Sequence, residues 1–179
     1  MVDPERVRVT YLELREAPVR AAPRAGRESV TLETMTSADY LELYRCVGAP
    51  LRWDTRLQMP IAELDSLLGG GSLRIYLLRG AAGGAAADGG AAGPVLGFCE
   101  FDRHAFPEIE LKHFGLVPQA QGRGLGPWLL STALCLEWAA GARRIWLHTD
   151  TWDHPAALPV YVRAGFRVYD VREELAEGL

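Results

Sequence analysis

The sequence is poor in several features that mark particular classes of protein. It has only three cysteines in 179 residues, Cys46, Cys99 and Cys135, and they lie far apart without the spacing of metal ligands. Neither a disulfide framework nor a zinc site is therefore expected, and a reducing compartment is indicated. Basic residues are not in excess, because 19 Lys and Arg stand against 23 Asp and Glu. Since nucleic-acid surfaces are usually basic, no nucleic-acid partner is predicted, and cationic partners are weakly favoured.

Long apolar runs are scarce as well. The most apolar stretch, residues 128–140, contains Glu137 and is too short to span a bilayer. The first ten residues are charged where a signal peptide would be apolar, so we expect a cytoplasmic protein without a membrane partner. Hydrophobic residues make up 49% of the chain and charged residues 23%, as in ordinary globular proteins. The length predicts one domain over residues 1–179.

Hydrophobic periodicity predicts a mixture of strands and helices. Alternating and β-branched residues predict strands at 7–15, 29–33, 73–78, 95–102, 108–117, 144–151 and 166–171. Apolar spacings of three and four predict a helix ending at Gly48, whose N-cap signal is Ser37 with Asp39, a short helix with Pro60 at its first position, and a helix at 127–140 capped by Gly141.

Two further segments have distinctive compositions. Residues 1–28 are interpreted as an additional N-terminal strand followed by a linker. Residues 80–94 contain little besides Gly and Ala, so they offer almost no apolar area to offset the entropy of ordering them. We expect a flexible loop there, with a substrate lid as the alternative.

A glycine-rich turn follows the strand predicted at 108–117. It reads QGRGLG over residues 121–126 and leads into the apolar helix, an arrangement that presents backbone N–H groups to phosphate. Glycine permits positive φ and close approach of an anion, and Arg123 adds a charge. The P-loop pattern is absent, and Pro127 stands where a dinucleotide-binding GxGxxG pattern needs its third glycine. We interpret the turn as a pyrophosphate site, the alternative being a plain strand-to-helix turn.

The turn and a later segment together resemble the GNAT superfamily of acyl-CoA-dependent N-acyltransferases. In that superfamily the turn carries Gln or Arg, then Gly three residues later, then Gly or Ala two residues after that, as Gln121, Gly124 and Gly126 do here. About 30 residues later the superfamily shows an Asn, small residues, a Tyr and a Gly-Phe pair. Residues 154–166 are similar, with Tyr161 in place. The resemblance covers residues 95–171.

The resemblance implies an α/β fold of the α+β type. Its central sheet is mixed and mostly antiparallel, is splayed between core strands 4 and 5, and is flanked by helices on both faces. These strands would be 108–117 and 144–151, with the pantetheine arm of acetyl-CoA in the gap between them. The implied cofactor-binding residues are Leu116, Val117, Gln121, Gly122, Arg123, Gly124, Leu125, Gly126 and His154. Acetyl-CoA is the expected co-substrate, and no metal is required.

The implied activity is direct transfer of an acetyl group to a primary amine of a small molecule or peptide. Such transfer needs a neutral amine, donors for the developing oxyanion, and an acid for the departing thiolate. Tyr161 stands at the superfamily's general-acid position, and Glu110 at the position of a catalytic glutamate in some members. Alternatives for the base are Glu100, Glu108, His113 and His148, and a solvated strand face is the structural alternative for the glutamates.

The acceptor side is implied to lie at the first two helices and their turn. Trp53 and Asp54 are the expected substrate-binding residues, with Arg56 beside them; a core position for Trp53 and a capping role for Asp54 are the structural alternatives. Dimers are common in the superfamily, so a homodimer is one expected assembly.

Two departures from the superfamily pattern leave a second function open. His154 replaces the usual Asn, and Pro159 falls inside the expected helix, where it removes an N–H group. A catalytically silent acyl-CoA-binding sensor or scaffold is therefore the alternative function. A nucleotide-binding module of another fold would rest on the glycine-rich turn alone.

Overall fold

The computed structural model describes residues 6–20, 22, 26–81 and 93–175. The described residues form seven strands: β1 (Arg6–Leu14), β2 (Ser29–Glu33), β3 (Leu73–Arg79), β4 (Val95–Asp102), β5 (Glu108–Leu116), β6 (Arg144–Asp150) and β7 (Arg167–Leu175). The helices in the same residues are α1 (Ser37–Gly48), α2 (Thr55–Gln58), α3 (Ile61–Gly69), α4 (Leu125–Ala139) and α5 (Ala157–Arg163). None of these helices is long and apolar enough to cross a membrane.

The strands form one mixed sheet that is open between β5 and β6. The strand order is β2-β3-β4-β5-β6-β1-β7, and every neighbouring pair is antiparallel except β5 and β6, which are parallel. Among the described residues, β5 and β6 pair only from Glu108 opposite Arg144 to Glu110 opposite Trp146. Beyond Glu110 the two strands diverge. The splayed α/β sheet expected from the sequence is therefore confirmed.

Helices cover both faces of the sheet. Successive side chains of a strand point to opposite faces. A Cβ atom on Gly115 of β5 would lie 2.3 Å from a methyl carbon of Val47, so glycine lets α1 approach β5 closely on that face. On the other face, α4 begins beside the next side chains of β5, since a Cβ on Gly126 would lie 3.6 Å from the Phe114 ring and 3.7 Å from Leu116.

The N-terminal strand lies far from its neighbours in sequence. β1 is inserted between β6 and β7 and is antiparallel to both. Its side chains Val7, Val9, Leu12 and Leu14 are all buried. The strand is thus an interior strand of the central sheet, between β6 and the edge strand β7.

Most predicted elements are present, with different ends. The N-cap of α1 is Thr36, whose hydroxyl accepts a hydrogen bond from the Asp39 N–H at 3.1 Å, so the prediction of Ser37 was wrong by one residue. Pro60 precedes α3 instead of opening it, and α4 begins two residues before Pro127. The short helix α2 was not predicted. Most of the expected Gly/Ala loop, residues 82–92, lies outside the described residues.

A fully buried carboxylate anchors α4 to the sheet. Glu137 accepts a hydrogen bond from the Tyr76 hydroxyl at 2.8 Å and pairs with Arg74 at 3.4 Å and Arg103 at 3.3 Å. Because a buried carboxylate needs compensating charge, these arginines make its position tolerable.

Candidate active site

A cavity of about 920 Å³ occupies the gap between β5 and β6, a volume in the range of small-molecule sites. One end is lined by the glycine-rich turn and the start of α4, at Gln121, Gly122, Gly124, Leu125, Gly126 and Pro127. The middle is lined by Phe114, Leu116, Val160 and Tyr161, and the other end by Tyr44, Trp53, Asp54 and His113. Residues from both of the distant motifs therefore line one cavity, although Val117 and Arg123 do not.

The glycine-rich turn has the backbone geometry expected of an anion site. Gly122 and Gly124 have φ values of 72° and 69°, which glycine adopts without strain. Gly124 is the N-cap of α4, and no side chain caps the helix. The N–H groups of Leu125 and Gly126 have no acceptor within the helix, as in the first turn of any α-helix. This end of the cavity suits a phosphate group.

Two residues of the turn point to different surroundings. The side-chain amide of Gln121 donates to the Leu116 carbonyl at 3.3 Å and so holds the turn against the end of β5. The Arg123 guanidinium lies 3.4 Å from the Glu28 carboxylate on the exposed surface. In this structure Gln121 shapes the turn, whereas Arg123 faces Glu28.

The backbone of β5 offers hydrogen-bonding groups to the gap. The Val117 N–H donates to the Leu96 carbonyl of β4 at 3.0 Å, and the Val117 carbonyl accepts from the Ala120 N–H at 2.9 Å. Because the direction of backbone groups alternates along an antiparallel ladder, Leu116 and Phe114 point theirs away from β4 and toward the gap. Leu116 lies where it was predicted, Val117 lies in the core, and Phe114 was missed.

Tyr161 reaches the cavity from α5. Its side chain is 7% exposed, and its ring centroid lies 6.0 Å from those of Phe114 and Phe166. Burial, reinforced by the neighbouring charge of Asp153, raises the pKa of the phenol above its ordinary value. The hydroxyl is therefore protonated at neutral pH and can act as a donor.

The departures at His154 and Pro159 are accommodated locally. The Nδ1 atom of His154 accepts a hydrogen bond from the Ala156 N–H at 3.1 Å, and the His154 carbonyl accepts from Ala157 at 2.8 Å. Pro159 is in the first turn of α5, where no intrahelical donor is lost. His154 lines the cavity and turns the chain into α5, so the unusual residues do not prevent the helix that carries Tyr161.

Asp153 is a cavity residue that the sequence analysis missed. It accepts a hydrogen bond from the Thr149 hydroxyl at 2.6 Å and another from the Trp53 indole. Burial, with a further contribution from Asp150, raises the pKa of Asp153 despite these hydrogen bonds. The carboxylate joins Trp53 to the loop after β6 and therefore links the two sides of the cavity. No local sequence signal distinguishes it from an ordinary turn aspartate.

A model of the Acetyltransferase (GNAT) family matches residues 52–166, which contain both motifs and nearly all of the cavity lining. The chain belongs to this family. The membership expected from the two motifs is confirmed. Comparison with curated protein sequences gives no match.

Solved GNAT structures share the fold. A GCN5-related N-acetyltransferase from Sphaerobacter thermophilus is 19% identical, with a TM-score of 0.58 over 97% of this chain and 52% of its own. A tandem GNAT protein from the clavulanic acid biosynthesis pathway is 19% identical, with a TM-score of 0.57 over 96% and 54%. A GNAT acetyltransferase from Streptococcus pneumoniae is 20% identical, with a TM-score of 0.52 over 78% and 87%. The chain spans about half the length of the first two structures.

The end of the cavity away from the glycine-rich turn contains Trp53 and Asp54. The Trp53 ring lies 5.5 Å from the Tyr44 ring and 5.0 Å from the His113 ring, between the core and the cavity. Asp54 accepts a hydrogen bond from the Gln58 side chain at 2.6 Å at the start of α2. Arg56 is instead buried and paired with Glu100. Trp53 and Asp54 therefore have structural contacts as well as cavity positions.

The carboxylates considered as bases have different surroundings. Glu110 lies 3.2 Å from Lys112 and 3.5 Å from His148, and both of these residues line the GNAT cavity. Glu108 pairs with Arg144 at 2.9 Å on the surface. Glu100 is fully buried. Within the described chain, no cluster of three or more His, Cys, Asp or Glu side chains could hold a metal ion.

Proposed function

We propose that this GNAT family member is an acetyl-CoA-dependent N-acetyltransferase that transfers the acetyl group directly to a primary amine of a small molecule or peptide. The observation that carries the proposal is that one cavity joins the uncapped start of α4 to the buried hydroxyl of Tyr161. The GNAT family uses acetyl-CoA as its co-substrate. Acetyl-CoA has the anionic and thioester groups that these two features would serve.

The cavity residues fit the parts of acetyl-CoA in order. Backbone N–H groups of residues 122–126 would bind the pyrophosphate, with the dipole of α4 adding to the attraction. The gap-facing backbone groups of Phe114 and Leu116 would hydrogen-bond to the amides of the pantetheine arm. His154 would contact the co-substrate through Nε2, since its Nδ1 already accepts from Ala156. The thioester would then lie near Tyr161.

Tyr161 would act as the general acid. The neutral amine attacks the thioester carbonyl, the C–N bond forms and the C–S bond breaks. The phenol gives its proton to the sulfur and recovers a proton from the nitrogen that has attacked the carbonyl. The products are therefore an amide and a thiol. Burial keeps the phenol protonated until the thiolate forms, because it raises the pKa of Tyr161.

The acceptor ammonium must lose a proton before it attacks. Glu110 is the candidate base from the resemblance, acting through His148, which lies 3.5 Å away and lines the cavity. Trp53 and Asp54 would contact the acceptor. A cytoplasmic location and a homodimer are further proposals, and the mass of the protein in solution tests the second.

The test combines turnover and binding on the full chain. Thiol release from acetyl-CoA is measured with a panel of primary amines, and CoA binding is measured by calorimetry, for the wild type and Tyr161→Phe. We expect Tyr161→Phe to lose about 10²-fold or more in kcat with CoA affinity retained. Tyr169→Phe, on the exposed face of β7, is the matched control and should keep the wild-type rate.

The outcomes separate the alternatives. If the wild type binds CoA and acetylates no amine in the panel, the sensor or scaffold function replaces the enzyme. If CoA does not bind, the assignment of the glycine-rich turn is wrong. Equal rates for wild type and Tyr161→Phe would contradict the role of Tyr161 alone.

A further inference from the structure

A buried polar cluster lies beneath the acceptor end of the cavity, the end with Trp53 and Asp54 where the amine is proposed to bind. Glu100 of β4 is fully buried, and its carboxylate accepts a hydrogen bond from the Arg56 guanidinium at 2.6 Å and another from the Tyr40 hydroxyl. Burial by itself would raise the pKa of Glu100, but the neighbouring His113 and Arg56 side chains and the Tyr40 hydroxyl outweigh it and hold the pKa at about 2. The carboxylate is therefore a fixed negative charge at any pH at which the protein is used.

His113 connects this charge to the cavity. It lies directly opposite Glu100 in the pairing of β4 and β5, and its buried Nδ1 is 3.3 Å from the Glu100 carboxylate, which is an ion-pair distance without the geometry of a hydrogen bond. On the other side of the ring, Nε2 is 3.3 Å from the Tyr44 hydroxyl, which is long for a hydrogen bond and can be replaced by an incoming donor. His113 lines the cavity, and Nε2 is the ring nitrogen that does not contact Glu100.

The surroundings of the imidazole fix its orientation. The Tyr44 and Trp53 rings lie 4.9 Å and 5.0 Å from it, the first edge-on. The titratable groups that face it are Glu100 on β4 and Tyr44 on α1, with Arg56 on α2 acting through Glu100. Burial raises the pKa of Tyr44 to about 12, so its hydroxyl stays neutral. Among these groups, Glu100 is thus the carboxylate that faces the imidazole.

Glu110 and His148 form a looser pair. Their separation is 3.5 Å, and Glu110 also pairs with Lys112 at 3.2 Å, which competes for the carboxylate. The His148 side chain is 28% exposed, compared with 12% for His113. A base acts best when a second group holds it in one tautomer and one orientation. The pair of His113 and Glu100 meets that requirement better.

We propose that His113 is the base that accepts the proton of the acceptor ammonium at Nε2, and that Glu100 is the positioning residue that orients the ring through its contact with Nδ1. The inference rests on the proposed N-acetyltransferase function. One proton passes from the ammonium to Nε2 and then to solvent, and the second proton lost by the nitrogen balances the one that Tyr161 gives to the sulfur. The overall products are the amide, CoA thiol and one proton.

The main experiment compares wild type with His113→Gln over a pH series of kcat/KM for acetylation. With an acceptor amine whose pKa is above the assay pH, we expect a loss of about 10²-fold in the variant and no acid limb from the imidazole. With a fluorinated analogue whose amine is already neutral at that pH, the loss should be less than about tenfold, since no base is needed. His104→Gln is the control, because His104 is an exposed histidine that also contacts a carboxylate, that of Asp102 at 2.6 Å.

A second variant tests the positioning role. In Glu100→Gln the acid limb of kcat/KM should move to lower pH, because the imidazole loses the charge that favours its proton. A purely structural role would leave that limb in place. Where Glu100→Gln does not fold, a titration of the His113 ring by NMR in the wild type provides the measurement, and a midpoint no higher than that of a histidine in an unstructured peptide would contradict the role of Glu100.

The failures of the two proposals are distinguishable. If the wild type acetylates no amine, the proposed function fails. If the wild type is active and His113→Gln keeps both its rate and its acid limb, the inference about His113 is wrong while the function stands. Loss of the acid limb in His148→Gln or Glu110→Gln instead would assign the base to that pair.

Discussion

Replacing Gly122 by alanine perturbs the candidate phosphate site at one backbone position. Gly122 has a φ of 72°, and a Cβ atom built there meets no heavy atom within 4 Å. The added methyl group therefore causes no steric clash in the unliganded protein. The substitution changes only the φ values that the residue prefers and the space available to a ligand in front of the turn. Any effect on binding then comes from the cavity and not from repacking.

The expected magnitudes follow from these two changes. Holding a non-glycine residue in the left-handed region costs about 1–2 kcal/mol, which lowers the free energy of unfolding by that amount. If the Cβ keeps a phosphate from one backbone N–H, the loss of a hydrogen bond to a charged group adds about 1.5–3 kcal/mol to the free energy of CoA binding. That corresponds to an increase of about 10- to 100-fold in the Kd.

A matched glycine makes the assay specific. Gly71, in the turn before β3, has a φ of 75° and also has no heavy atom within 4 Å of a built Cβ. Chemical denaturation should show the same loss of stability for Gly71→Ala and Gly122→Ala. Calorimetry with CoA should show weaker binding for Gly122→Ala alone. Equal CoA affinity in the two variants and the wild type would refute the phosphate assignment of the turn.

Three further changes test other parts of the structure. Gly48→Ala places a Cβ 2.6 Å from Trp53 atoms, so we expect a loss of about 1–3 kcal/mol in stability and a higher KM for the amine, with CoA affinity unchanged by calorimetry. Asp153 has a pKa raised by burial, so the folded state binds its proton more tightly than the unfolded chain. Relative to Asp153→Asn, the wild type should gain stability as the pH falls toward 3.8 and no more below it, and a difference that grows with rising pH would contradict this. Glu137→Ala leaves Arg103 largely buried without its partner, and we expect a loss of about 3 kcal/mol in denaturation with normal CoA binding.

Local sequence signals predicted most of the helices and strands. The contacts between side chains of different strands depend on how the strands pair, which these signals do not predict. The strands and the long helix α4 follow from apolar spacing, and the glycine-rich turn follows from its composition. The relation between Glu100 and His113 does not, because it depends on the register of β4 with β5. That register shifts by one residue at Lys112, which is the extra residue opposite Glu100 and Phe101.

The contacts across the cavity could not be predicted from the sequence either. Asp153 and Trp53 are about 100 residues apart and meet only because β6 diverges from β5. The side chains of the turn could be assigned roles by type, but Arg123 faces Glu28, a residue of the linker before β2. Residue types thus predicted which segments line the cavity, and tertiary pairing determined which of their side chains contact each other.

The position of β1 has a consequence for how the chain folds. Its Tyr11 hydroxyl bonds to Glu174 across a separation of 163 residues, so β1 is synthesised long before either of its partner strands. Contacts of such high sequence separation slow folding, and until β6 and β7 emerge β1 presents unpaired edges. The charged residues of β1 lie next to its apolar ones, at Arg6, Arg8 and Glu13. They interrupt the apolar surface through which an unpaired β1 could associate with other chains. We therefore expect the charges of β1 to limit aggregation of the nascent chain until β6 and β7 are made.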